Sequence, residues 1–169
     1  MNTKMRGDGT APNLITDLRD VGRFVARIVA DERTLNRYVF AYGEELTERE
    51  IYATMEEVSG EQLEQKFVSS SCLCYYQVAD TGKTSDQEIQ EEVVAARKLL
   101  EREPDNSEAL GRVASAEYEY SKYVRMDNRA IFARYLGYLD ARELYHDLKP
   151  KRFVDFVQDL LDGKVQRPY

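Results

Sequence analysis

Few side chains in this 169-residue sequence combine the type and the spacing that chemistry requires. The single histidine, His146, follows Glu143-Leu144-Tyr145 with no second histidine in the chain, so it reads as an inert loop residue and not as a metal ligand. Cys72 and Cys74 stand one residue apart, too close for an ordinary disulfide and without the second Cys/His pair of a zinc site. They read as reduced thiols of a cytosolic protein. Tyr118 and Lys122 have the spacing of a proton-transfer pair on one helix face, yet a lysine four residues beyond a tyrosine is ordinary on a solvated face. No two carboxylates are spaced convincingly for acid/base work.

A dinucleotide needs a nest of backbone amides, written as G-x-G-x-x-G between a strand and a helix. Gly7-Asp8-Gly9 is followed by Thr10-Ala11-Pro12, so the third glycine is missing and Pro12 has no amide to donate. The segment reads as a hairpin turn, and no cofactor is expected to bind these residues alone. A net charge of −7, with basic and acidic residues interspersed, opposes direct nucleic-acid binding. No stretch approaches the ~20 apolar residues of a membrane span. With 43% apolar and 33% charged residues the composition is that of a soluble globular chain, one domain by length, and a cytoplasmic location is the default expectation.

The elements that would position these groups are written in the hydrophobic pattern. Leu18, Val21, Phe24, Val25, Ile28 and Val29 predict an amphipathic helix capped by Thr16 or Asp17, with Asp20 in its first turn. Gly22 on that helix costs about 1 kcal/mol against Ala, which predicts a neighbouring backbone packed close to it. Residues 37–42 read as a buried strand. Thr47 and Glu50 form a capping box, Leu46 and Ile51 a hydrophobic staple, and Gly60 the stop of the next helix. A second strand is predicted over residues 63–68, and strand, helix, strand implies a parallel pair. Ser85 with Glu88 opens a helix whose Ile89, Val93, Ala96 and Leu100 face inward until Pro104 stops it. A long helix over 107–124 and a last one over 151–161 complete an α/β, helix-rich domain. Its sheet is expected to be small and mostly parallel, with five or six helices.

The order of these elements resembles a known family. Gly7-Asp8-Gly9, Thr16, Asp20-Val21-Gly22 and Asp31-Glu32-Arg33-Thr34-Leu35-Asn36 are similar to the middle of NmrA-like and isoflavone-reductase-like proteins. Leu46-Thr47 with Glu50, Gly60, Leu63-Glu64 and Val68-Ser69 continue in register, and Gly137-Tyr138-Leu139-Asp140-Ala141-Arg142-Glu143-Leu144-Tyr145 resembles the fungal branch. The resemblance implies the C-terminal, substrate-binding part of an atypical NAD(P)-dependent short-chain dehydrogenase/reductase. Members are about twice this length, with the phosphate loop, the NADPH selector and a catalytic lysine in the preceding half.

On that resemblance Tyr120, Ser121, Tyr123, Tyr135 and Tyr138 match the substrate-lining region, where they would suit a planar phenolic or polyketide-like ligand. The same tyrosines could equally belong to the core, or to a face covered by the other half. Asp20 and Gly22 are read as capping and close-packing residues before ligand contacts. Met126 stands where the family has a glycine, which puts the turn before Asp127-Asn128 in question. Three functions remain open: a reductase piece without hydride transfer of its own, a regulatory module acting by protein contact, and a small lyase or isomerase pocket. The first is preferred, with self-association or a protein partner expected at the face left by the missing half.

Overall fold

The reciprocal pair Thr47/Glu50 marks where one helix must start. In the computed structural model Glu50 N donates to Thr47 Oγ1 at 3.2 Å, and Thr47 N donates to Glu50 Oε2 at 2.7 Å. Two of the helix's otherwise orphaned amides are thereby satisfied. Gly60, at φ 72°, closes the same helix in the left-handed conformation predicted for it.

The structure describes residues 3–6, 8–63, 65–68 and 85–165, with the backbone alone for 3–6, 65–68 and 85. In chain order the strands are β1 (Thr3–Arg6), β2 (Pro12–Ile15), β3 (Val39–Phe40), β4 (Glu44–Thr47), β5 (Gln65–Val68) and β6 (Leu139–Asp140). The helices are α1 (Leu18–Ile28), α2 (Glu48–Ser59), α3 (Ser85–Arg102), α4 (Ser107–Glu119), α5 (Ala130–Tyr135), α6 (Ala141–Leu144) and α7 (Phe153–Leu161). Tyr120–Val124 forms a π-helical turn directly after α4. Cys72 and Cys74 lie outside the described residues.

Three two-stranded ladders form: β1 with β5 and β3 with β6 parallel, β2 with β4 antiparallel. The helix-rich α/β reading with mostly parallel pairing therefore holds. The partners differ from the simplest strand-helix-strand unit, because Val39 and Phe40 pair with β6 and residues 65–68 with β1. Only Val39 and Phe40 are extended, and Tyr38 is 75% exposed, so this is a short edge segment and not a buried strand. The turn at Gly9 is not a hairpin either, since the strands on its two sides join different ladders.

The described contacts divide into two compact units. The first comprises Met1–Ala11 and Leu63–Asp127. In it α3 and α4 pack as a helical pair, with α3 ending at Arg102 before Pro104 and Asn106 accepting from Glu108 N and Ala109 N to cap α4. Val93, Ala96 and Ala116 form one buried cluster, and Ala11, Ile89 and Tyr123 another. Their small and branched side chains let the two helices approach closely.

The second unit comprises Pro12–Gln62 and Asn128–Tyr169. Its core is Phe24, Ala141, Tyr145 and Leu148, with Ile28, Val39, Ala41 and Leu144 against it. Helix α1 buries a narrower line than its sequence predicts. Asp20 and Phe24 are buried and Ile28 half-buried, while Leu18, Val21, Val25 and Val29 face solvent. Asp20 explains the rotation: its carboxylate accepts from Arg23 Nη1 and from Lys151 N, both at 2.6 Å, pinning the chain before α7 to this face. A Cβ added to Gly22 would meet nothing within 4 Å, so the close neighbour predicted there is not in this unit. Asp17 is the N-cap, accepting from Arg19 N. Helix α7 starts at Phe153, later than predicted; Val157 is buried, whereas Leu160 and Leu161 are exposed.

Candidate functional site

Three of the five predicted substrate-facing residues fall on the π-helical turn. There the backbone ladder widens, Arg125 N donating to Tyr120 O at 3.0 Å, a rearrangement that recurs at functional sites because it re-aims side chains. Tyr123 is buried and Tyr120 packs between the two clusters of the first unit. Ser121 Oγ donates to Asp127 Oδ2 at 2.9 Å, and Asp127 N donates to Ser121 O at the same distance. Arg125 pairs with Asp127 at 3.0 Å. Met126 closes this loop at φ 56°, the conformation a glycine would take without strain. Glu119, just before the turn, is a buried carboxylate.

Lys122 does not sit as a proton-transfer partner of Tyr118. Its ammonium lies 5.8 Å from the Tyr118 ring centre and 5.1 Å from that of Tyr123, a cation over two aromatic faces, and Tyr118 is exposed. Tyr135 and Tyr138 belong to the second unit. Tyr135 is 86% exposed at the end of α5, and Tyr138 stacks on Tyr38 with ring centres 5.0 Å apart.

The remaining motif residues are structural in their geometry. Asp8 accepts from Thr10 N at 2.9 Å and from Thr10 Oγ1 at 2.6 Å, and Gly9 has φ 73°. Gly7 lies outside the described residues. Thr16 Oγ1 accepts from Gly43 N at 3.3 Å, where the Gly43 backbone also donates to Ile15 O. A Cβ on Gly43 would stand 3.1 Å from Ile15 O, so this glycine, unlike Gly22, answers to a close approach. His146 is exposed. Among the described residues no group of His, Cys, Asp and Glu is arranged to hold a metal ion.

A cavity of about 760 Å³ opens in the second unit, and the sequence reading did not anticipate it. Ile15, Ile51, Phe153, Phe156 and Val165, all half-buried, form its apolar wall. Phe153 and Phe156 stack with ring centres 6.3 Å apart. Arg19, Lys151, Arg152 and Lys164 stand around it. Asp17 and Glu44 also line it, but their carboxylates are engaged: Asp17 with the Arg19 guanidinium at 2.5 Å, Glu44 with Phe153 N at 2.5 Å. The Arg19 guanidinium, the Arg19 amide and the nearby Lys151 charge hold the Asp17 carboxyl below the usual carboxylate range. The signal that could have found this wall is the i, i+3 pair Phe153/Phe156 directly after the basic run Lys149-Pro150-Lys151-Arg152.

Comparison with known proteins follows the fold. The chain is 35% identical over 156 residues to the asnovolin J 5′,6′-dehydrogenase nvfM of Aspergillus novofumigatus (strain IBT 16806), covering 92% of itself and 43% of that protein. No family model matches. Among solved structures, the leucoanthocyanidin reductase–NADPH complex from Vitis vinifera superposes with a TM-score of 0.65 at 13% identity, over 96% of this chain and 47% of that one. An isoflavone reductase gives 0.59 at 18% identity, over 94% and 43%. AtPrR2 with NADP+ and (+)pinoresinol gives 0.60 at 18%, over 94% and 42%.

The chain has an isoflavone-reductase-like fold.

It shares its fold with part of these reductases, spans less than half of the length of the proteins it matches, and its curated relative is fungal. The leucoanthocyanidin reductase structure holds NADPH and the AtPrR2 structure NADP+. The turn around Gly9 does not fit that cofactor's pyrophosphate. The Asp8 carboxylate already takes the Thr10 amide, a second negative charge would be repelled there, and β2 follows where a helix N-terminus would be needed. No helix among the described residues is long and apolar enough to cross a membrane.

Proposed function

We propose that these 169 residues are the substrate-side portion of an isoflavone-reductase-like oxidoreductase and carry out no NAD(P)H-dependent reduction by themselves. The observation that carries this reading is the coverage: 92% of the chain aligns with 43% of a curated dehydrogenase. Hydride transfer then requires the dinucleotide-binding portion, as the rest of a longer polypeptide or as a partner. The π-helical turn supplies the substrate-facing groups, half-buried Tyr120 as aromatic surface and Ser121 as a hydroxyl oriented by Asp127, with buried Tyr123 supporting the turn from the core. In the second unit Tyr135, exposed, and Tyr138, half-buried, are separately suited to an aromatic contact. The setting is cytoplasmic.

The exposed row Leu18, Val21, Val25 and Val29 on α1 supports the same reading from the protein side. Four apolar side chains at helical spacing beside an open Gly22 suit a closely packed backbone, which the dinucleotide-binding portion would provide. That row also favours a second reading, a regulatory module acting through protein contact. Titration of the chain with NADPH, followed by nicotinamide fluorescence, separates the outcomes. No binding by the chain alone, with binding and reduction restored when the dinucleotide-binding portion is supplied, supports the first reading. Restored binding without turnover favours the second, and tight binding by these residues alone overturns both.

A further inference from the structure

The cavity of the second unit shares only Leu18 with the exposed row of α1, and its chemistry is specific enough to name a ligand class. We propose that it binds a small amphipathic carboxylate, with the apolar body against Phe153, Phe156, Ile51 and Ile15 and the carboxylate at Arg152 and Lys164. Its volume of about 760 Å³ lies within the roughly 300–1,000 Å³ of small-molecule sites, and its wall has the aromatic and aliphatic composition such sites share.

The polarity follows from which charges are free to move. The two lining carboxylates are committed to the fold, Asp17 as the N-cap of α1 and Glu44 to the first amide of α7. Of the four cations, Arg19 and Lys151 are held by the more buried Asp17 and Asp159, whereas the other two pair with acids more open to solvent, Arg152 with Asp155 at 2.9 Å and Lys164 with Asp162 at 2.8 Å, their own side chains 65% and 64% exposed. Ion pairs of that exposure hold weakly, so an entering carboxylate can exchange with Asp155 or Asp162 at little cost. A cation entering the same space would have to displace Asp17 or Glu44 from backbone amides that would then be unsatisfied. Selectivity for an anionic head on an apolar body is the result.

The chain contains no tryptophan, so Phe156→Trp places a single indole in the wall. Dodecanoate, kept below its micelle concentration, is titrated against this variant and followed by indole emission. A saturable blue shift is expected, while Tyr118→Trp, an exposed site in the other unit, does not respond. Dodecanol should bind at least about tenfold more weakly, the loss of one charge-assisted hydrogen bond. Arg152→Ser removes a cation but leaves a favourable N-cap for α7, and together with Lys164→Ser it should weaken dodecanoate by about the same factor. Calorimetry on the unaltered chain gives the same reading if Phe156→Trp fails to fold. Absence of saturable binding, equal affinity for dodecanol, or an affinity unmoved by the two serines each overturns the proposal. None of these readouts involves NADPH, so the outcome is separable from that of the proposed reductase role.

Discussion

Replacing Asp20 by Asn tests whether one buried carboxylate sets the orientation of α1. The side chain is 2% exposed and accepts two hydrogen bonds of 2.6 Å, from Arg23 Nη1 and from Lys151 N. Asn keeps a single acceptor oxygen, and its NH2 must then face one of the two donors. One charge-assisted hydrogen bond is lost, about 1.5–3 kcal/mol, and a donor is left against a donor, about 1–3 kcal/mol more. Repacking relieves part of this, so a loss of about 2–4 kcal/mol is expected. In a chain of this size that lowers the melting midpoint by roughly 5–15 °C. The control is Asp147→Asn: Asp147 pairs with Arg27 at 2.7 Å but is 67% exposed, and its loss should cost less than about 1 kcal/mol. Urea denaturation measures both. Hydrogen exchange of the Lys151 amide reports the local event, and it should accelerate selectively in the Asp20 variant. Equal midpoints for the two variants, or an unchanged Lys151 exchange rate, would refute the claim that Asp20 holds α1 in place.

Four further outcomes follow from the same geometry. Met126→Gly relieves a non-glycine residue at φ 56° and should raise stability by about 0.5–1 kcal/mol, read by thermal denaturation. Thr47→Ala breaks the capping box and should cost about 1 kcal/mol, seen as a lower urea midpoint. Donation from the Arg33 guanidinium first, then from the Arg33 amide and the Tyr145 hydroxyl, holds Asp31 well below the usual carboxylate range. Its contribution is therefore complete above the unfolded value of about 3.9 and is lost as pH falls from there toward the depressed folded value. Asp31→Asn should flatten the stability–pH curve below pH ~4 and leave its shape near neutrality unchanged. Val25→Lys, on the exposed row of α1, should reduce self-association in light scattering while changing stability by no more than about 0.5 kcal/mol.

Features governed by neighbouring residues were legible in the sequence. The Thr47/Glu50 box, the stop at Gly60 and the end of α3 before Pro104 depend on contacts within a turn, and the inward residues Ile89, Val93 and Ala96 follow from period alone. Features decided by distant residues were not. The buried side of α1 is chosen by Asp20 binding an amide 131 positions away, a preference that outweighs four apolar side chains and has no trace in helical periodicity. Strands of two to four residues carry too few side chains to specify partners, so β1, β2, β4 and β6 were missed and the pairing of β3 and β5 was misassigned. The widened turn at Tyr120–Val124 looks like continuous helix in sequence, because a π turn inserts a residue without altering composition. Met126 was the exception: the family resemblance put its turn in question, and the structure has a left-handed backbone there. The cavity stayed hidden because its wall is gathered from segments more than a hundred residues apart, Ile15 and Ile51 on one side and Phe153 and Phe156 on the other.

Residues 12–62 interrupt one unit, and residues 63–127 interrupt the other. Neither body is therefore a continuous stretch, and shortening the polypeptide from either end removes material from at least one of them without liberating the other. During synthesis β1 must wait for β5, some sixty residues later, before its ladder can close, and α1 must wait still longer for Lys151. Contacts of such long reach are entropically late, so most of the molecule has to be made before either body can mature.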